Sequence, residues 1–257
     1  MQQLHLFFNA WVFYTRFPAP GWVVHSSEHL SHSSRYFPLV GACLALWFAL
    51  VFGLANLWLP TTISLLLAMV ASLLATGAFH EDGFADLCDG FGGGWHRDDV
   101  LRIMKDSRLG TYGVTGLWMI LTLKFVLLYE LTQHTPLLLE VGLPLLLSAY
   151  MLSRAWSISL VAVLPYVQQD AQSKAKPIAM GIRRSDLVIL WASSLLPLCW
   201  LPWTTAITLL VTGAVAFLLI RAWFNKRLQG YTGDALGASQ QIQELLAYMA
   251  MLVMVPL

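Results

Sequence analysis

Four carboxylates, Glu81, Asp82, Asp86 and Asp89, fall within nine residues of a chain in which 11% of residues are charged. They belong to the stretch HEDGFADLCDG, His80 to Gly90, which follows a long apolar run. Seven of the chain's 14 acidic residues lie between Glu81 and Asp106. If the preceding helix continues, Asp82, Asp86 and Asp89 stand at i, i+4 and i+7, on one helix face. Three carboxylates on one face repel each other unless a cation sits among them, and oxygen-only ligation suits a hard divalent ion such as Mg²⁺. The pattern predicts a metal site at the mouth of a membrane domain. His80 adjoins these acids, at a position suited to a base or a hydrogen-bond partner.

The elements that must hold such a site are apolar. The chain is 58% hydrophobic with a mean hydropathy of +0.66, whereas soluble domains carry roughly 25% charged residues. This composition predicts a polytopic, all-α membrane bundle of about six to seven transmembrane helices. Six apolar stretches are candidate spans: 39–59, 61–79, 112–131, 136–164, 187–203 and 204–220. The fourth is too long for one straight helix, and a seventh, 245–257, is short enough for a re-entrant or interfacial segment. Residues 4–14 read as a membrane-surface helix ended before Pro18 and Pro20. No removable signal is evident. The three cysteines show no pairing or metal-type spacing, and a net charge of +1 without a basic stripe argues against nucleic acid.

Lys and Arg set the orientation. Residues 1–38, 80–111, 165–186 and 221–244 carry 13 of the 15 basic residues, while the alternate connections carry none. The positive-inside rule places these four segments in the cytoplasm. The chain therefore reads as a single membrane-embedded domain, 1–257, with an interfacial N-terminal segment (1–38), an acidic metal and phosphate loop (80–111) and a second polar loop (221–244).

The acidic loop holds seven acids against four bases. That excess repels a phosphorylated substrate unless one or two divalent cations offset it, so a metal and a pyrophosphate substrate support each other. The Gly90–Gly94 run breaks the helix and offers backbone N–H groups, either to a phosphate or as a turn. Arg97–Gly113 reads as an amphipathic surface helix, with Asp98 four residues before Arg102. Lys105 and Arg108 beyond it are candidate anion contacts. In the second polar loop Gly230, Thr232, Gly233, Asp234 and Gly237 mark a turn and a helix start. There Asp234 either caps the helix or joins the metal and substrate site. Arg154, inside a span, should face the bundle interior, in reach of a substrate phosphate, or snorkel. For Lys124 snorkelling is the expectation. His25, His29 and His32 have helical spacing but lie in a Ser-rich polar segment, which favours a solvated surface over a metal site.

FYTRFP (Phe13–Pro18), RYFPLVG (Arg35–Gly41), TGAFHEDGFADLCDGFGGG (Thr76–Gly94), IMKDSRLGTYG (Ile103–Gly113) and GYTGDALGA (Gly230–Ala238), in this order, resemble the cobalamin synthase family, the adenosylcobinamide-GDP ribazoletransferases. Gln229 departs from the pattern, which has a second glycine beside Gly230. The resemblance implies a membrane-bound, Mg²⁺-dependent transferase in the cell inner membrane, with its active site facing the cytoplasm. The hydroxyl of α-ribazole, or of its 5′-phosphate, attacks adenosylcobinamide-GDP and GMP leaves. Combined with the residue chemistry, this gives Glu81, Asp82, Asp86 and Asp89 as metal residues. Asp82, Asp86, Asp89 and His80 are the catalytic set, and Lys105, Arg108, Arg154, Thr232 and Asp234 the substrate-binding set. Expected partners are the two substrates and membrane lipid. A homo-oligomer or a complex with other corrinoid-pathway enzymes is compatible with the sequence.

Other readings fit less well. A CDP-alcohol phosphotransferase wants Ala-Arg where Ala85 is followed by Asp86. A polyprenyltransferase wants a second Asp pair where Asp234 stands alone. A cation transporter wants carboxylates at the midplane of a span rather than after it.

Overall fold

A computed structural model describes residues 1–135, 142–167 and 181–254. Lys174 and Lys176, counted above in the third basic segment, and the last residues of the seventh apolar stretch lie outside them. Eleven α-helices follow one another among the described residues. They are α1 (Gln2–Tyr14), α2 (Ser27–Ser33), α3 (Phe37–Ala55), α4 (Thr61–Thr76), α5 (Phe79–Gly93), α6 (Arg97–Met104), α7 (Thr111–His134), α8 (Gly142–Ser159), α9 (Arg184–Leu195), α10 (Trp203–Leu228) and α11 (Gly233–Met254). Among the described residues there is no strand, only a bridge between Tyr166 and Tyr231. The helical membrane bundle expected from composition is present.

Four helical stretches are long and apolar enough to cross a membrane: 28–55, which includes α3, then α7, 142–162, which includes α8, and α10. A fifth arises if α4 and α5 count as one broken span. That is fewer than six to seven, for two local reasons. First, the fifth apolar stretch is split between the 12 residues of α9 and a 3₁₀ segment, Leu196–Trp200. Second, α11 carries polar residues through its first half, up to Glu244. The seventh stretch is not a short re-entrant piece but the end of this 22-residue helix.

The centre of the bundle explains that polarity. α11 packs against α5, α7, α8 and α10, and α3 packs on α4 and α8. Ser239, Gln240, Gln241, Gln243 and Glu244 of α11 are all buried, so each needs an internal partner, because a buried polar group left unpaired is costly. Outward-facing Leu46, Leu50, Leu66, Val211 and Leu219 are exposed, as lipid contact requires.

α4 and α5 meet at 87°. Gly77 and Ala78 both sit in the left-handed region, at φ 66° and 55°, which ends α4 and turns the chain sharply into α5. The backbone N–H of Arg16 donates to the carbonyl of Ala75 beside this turn (2.7 Å), so the end of α1 is docked against it. α5 thus lies across α4 and packs along α11. Its far end meets the other polar segments, where Arg227 donates to the carbonyls of Phe91 and Gly94 and Arg97 to that of Leu228. Loops 80–111 and 221–244 therefore share one end of the molecule.

Candidate active site

α5 places Asp82, Asp86 and Asp89 in the expected helical register and sorts them by depth: exposed, half-buried and buried. The start of α11 brings Asp234 to the same face from the far end of the chain. Gly83 permits this, because a Cβ there would lie 2.7 Å from the carbonyl oxygen and 2.8 Å from the Cα of Asp234. Any larger residue would force α5 and α11 apart. Burial, and then the charges of Asp234, Asp82 and Asp89, push the Asp86 carboxyl up to about 7. Burial and then Asp82 push Asp234 up to about 6. Carboxyls that raise one another in this way form a site short of positive charge.

Among the described residues, no three His, Cys, Asp or Glu side chains form a ready-made metal cage. Mg²⁺ does not need one, since it keeps several waters and is held through one or two carboxylates together with substrate phosphates. The hard-oxygen donors and their mutual repulsion fit that ion.

Asp89 is the carboxylate already engaged by the fold. Its Oδ2 accepts from the N–H of Gly110 (2.7 Å) and its Oδ1 from the N–H of Gly113 (2.8 Å). These N–H groups open α7 and have no intrahelical partner; the negative charge also complements the helix dipole. Expected as a ligand like the others, Asp89 is built in as the cap of α7.

Glu81 is adjacent to Asp82 in sequence but about 100° round the helix. Its Oε1 accepts from Gln241 Nε2 at 3.0 Å, and its Oε2 is buried with no hydrogen-bond partner. It belongs to an interior network rather than to the carboxylate face. There Gln241 donates to Gln240 Oε1 (2.9 Å), Gln240 to Glu244 Oε2 (2.6 Å) and Tyr248 to Glu244 Oε1 (3.1 Å). Lys124 Nζ lies 2.6 Å from Glu244 Oε1. The snorkelling expected for Lys124 is therefore wrong; a buried carboxylate 120 residues away pairs it. Arg154 faces the interior as expected and donates to the carbonyl of Tyr150 (2.8 Å), with Glu244 at 4.0 Å. His80 is also buried, stacked on Tyr14. His80, Glu81, Lys124 and Arg154 line a void of about 30 Å³, which has room for water but not for a substrate. The structure thus does not bring His80, Glu81 or Arg154 to the carboxylate face.

The remaining residues divide. Lys105, Thr232 and Asp234 line one cleft. Arg108 is instead forked onto Asp106, with Nη2 to Oδ2 at 2.7 Å and an 87% exposed side chain. Thr232 Oγ1, not Asp234, accepts from the N–H of Ala235 (3.1 Å) and caps α11. The Gly90–Gly94 run does not break the helix early, since α5 continues to Gly93. A Cβ on Gly90 would meet Met104 of α6, so this glycine serves close packing rather than a phosphate cradle. The expected helix from Arg97 stops at Met104, and Arg102 pairs with Asp99 rather than Asp98.

Sequence reading missed two acids. Glu244 was hidden in a polar segment. Asp186 is fully buried, paired with Arg35 (2.5 Å) and His32 (2.9 Å), so His32 is not a solvated surface residue. An ionised acid buried this deeply needs a cation beside it, and Arg35 was the available signal.

The chain matches the family model described as "Cobalamin-5-phosphate synthase" over residues 6–252. It belongs to the cobalamin-5-phosphate synthase family. As a family member it is an enzyme of cobalamin synthesis. It is similar to the adenosylcobinamide-GDP ribazoletransferase of Shewanella frigidimarina, 49% identical over 98% of this chain and 95% of that one. The proteins of the same name from Shewanella oneidensis and Shewanella baltica (strain OS155) are each 45% identical over the same shares. No solved structure matches. In this member of the cobalamin-5-phosphate synthase family the HEDGFADLCDG stretch forms α5, and GYTGDALGA forms the turn and first helical residues that bring Asp234 against it.

Proposed function

We propose that this chain joins adenosylcobinamide-GDP to α-ribazole, or to α-ribazole 5′-phosphate, forming adenosylcobalamin or its 5′-phosphate and releasing GMP, with Mg²⁺ as cofactor. One observation carries the chemistry: Asp82, Asp86 and Asp234 converge from α5 and α11 and leave uncompensated negative charge beside a cleft that contains Lys105. Asp82, Asp86 and Asp234 would hold the ion. When bound, Mg²⁺ supplies charge neutralisation on the pyrophosphate. The chain's own part is positional. Asp89 fixes the start of α7 against α5, Gly83 sets the spacing of α5 and α11, and Lys105 meets phosphate oxygen from the cleft side. The 3′-hydroxyl of the ribazole attacks the cobinamide-side phosphorus and gives up its proton to solvent, the pyrophosphate P–O bond breaks, and GMP leaves with that electron pair. Aligning nucleophile and leaving group and neutralising charge is most of what phosphoryl transfer asks of a protein. His80 and Glu81 support α5 from within.

The polar end that holds this site carries basic residues of segments 80–111 and 221–244, and the positive-inside rule supports a site that faces the cytoplasm from the inner membrane. Purified protein in liposomes, given adenosylcobinamide-GDP and α-ribazole 5′-phosphate, should release GMP and joined corrinoid in equal amounts only with Mg²⁺. A folded protein that releases neither overturns the reading, and turnover of a CDP-alcohol instead would point to the phosphotransferase class.

A further inference from the structure

The cleft beside the carboxylate face measures about 380 Å³ and lies between α6 and the start of α11. Its charged and polar lining is Arg97, Asp98, Arg102, Lys105, Thr232 and Asp234. We propose that this cleft is the guanine-nucleotide subsite: Lys105 and Thr232 take the phosphate next to Asp234, and Asp98 reads the guanine edge. The proposal rests on the reaction proposed above and names which half of that substrate lies here.

Size makes the first distinction. A cleft in this range suits a nucleotide-sized ligand. Charge makes the second. Among the described residues Lys105 is exposed and has no ion-pair partner, whereas Arg102 is held by Asp99 and Arg97 by Asp98 (3.3 Å) and the carbonyl of Leu228 (2.8 Å). Lys105 is thus a cation free to meet phosphate oxygen. Thr232 uses its oxygen as an acceptor from Ala235, which leaves its O–H to donate.

The base end follows from the acids. Two carboxylates line the cleft, and Asp234 belongs to the phosphate end. Asp98 remains, on the rim, steadied by an arginine that is itself anchored to the backbone of α10. Guanine presents N1–H and N2–H₂ side by side, two donors that a carboxylate accepts together. Adenine presents an acceptor at N1 and no N2 amine, so the same carboxylate disfavours it.

The test is calorimetric titration of the full chain in detergent with GMP and with AMP, in Mg²⁺, beside steady-state kinetics. Wild type should bind GMP on the order of ten- to a hundredfold more tightly than AMP. Asp98→Asn should erase that preference. Lys105→Ala should weaken both nucleotides by about tenfold and raise KM for adenosylcobinamide-GDP while the KM for α-ribazole 5′-phosphate stays. Both side chains are exposed, so neither change disturbs packing. Equal GMP and AMP affinity in wild type, or unchanged GMP affinity in both variants, overturns the subsite. Asp98-dependent GMP binding without corrinoid product keeps the subsite and removes the reaction. Corrinoid product with unaltered KM in both variants keeps the reaction and removes the subsite.

Discussion

α5 and α11 build two polar clusters on the same pair of helices, and they are opposites. In the interior, Lys124, Glu244, Gln240, Gln241 and Glu81 form one connected network in which the buried lysine and Glu244 face each other. At the polar end, Asp82, Asp86 and Asp234 hold like charges together. The first cluster pairs Lys124 with Glu244 within the chain and so holds helices together. The second leaves its charges for something that arrives from outside. Neighbours in sequence, Glu81 and Asp82, fall on opposite sides of that division.

Breaking the inner cluster should cost most. Lys124→Met leaves Glu244 buried without its closest cation, a loss of about 3–5 kcal/mol, read as a collapse of the detergent melting temperature. Removing Asp82 should not lower that temperature at all in EDTA. If Lys124→Met melts like wild type, the interior network is not what binds α7 to α11.

The outer cluster should respond to pH in the opposite sense from a paired acid. The Asp86 and Asp234 carboxyls are raised to about 7 and about 6 in the folded state, above the ordinary range near 4 that they regain on unfolding. Between roughly pH 4 and 7 the folded state therefore binds more protons than the unfolded one, and stability falls as pH rises through that window. In EDTA the melting temperature should drop from pH 5 to pH 8. Mg²⁺ should restore it at pH 8 and do little at pH 5, and Asp86→Asn should reduce this difference, leaving the part due to Asp234. An equal Mg²⁺ effect at both pH values would separate the ion from these carboxylates.

Asp89 sharpens the boundary between the clusters. As the cap of α7 it contributes without metal, so Asp89→Ala should cost about 1–2 kcal/mol in EDTA. A purely ligating Asp89 would show no loss there.

The smallest effect is at Gln229, held at φ 58° after α10. The left-handed region costs a side chain about 1–2 kcal/mol, offset in part by the greater freedom of glycine in the unfolded chain. Gln229→Gly should stabilise by about 0.5–1 kcal/mol, measured by thermal melting, without changing turnover.

Periodicity made part of this legible. The apolar runs announced a helical membrane bundle, and the spacing of Asp82, Asp86 and Asp89 announced one helix face, because both depend on local geometry alone. What stayed hidden depends on distant partners. Glu81 turns inward because Gln241 waits there, Lys124 stays buried because Glu244 pairs with it, and Asp89 is held by the start of α7. α11 concealed itself, since a central helix that satisfies its neighbours' polar groups reads as a polar loop followed by a short apolar tail. The glycine run read as a break because nothing local shows that α6 packs on Gly90.

The most direct test of the outer cluster is single-turnover formation of corrinoid and GMP by Asp82→Asn and Asp234→Asn in liposomes, across a Mg²⁺ titration. Both variants should melt no lower than wild type in EDTA, and corrinoid formation should fall by at least about a hundredfold, with the residual activity shifted to higher Mg²⁺. Wild-type rates at wild-type Mg²⁺ in either variant would mean that its carboxylate does not carry the reaction.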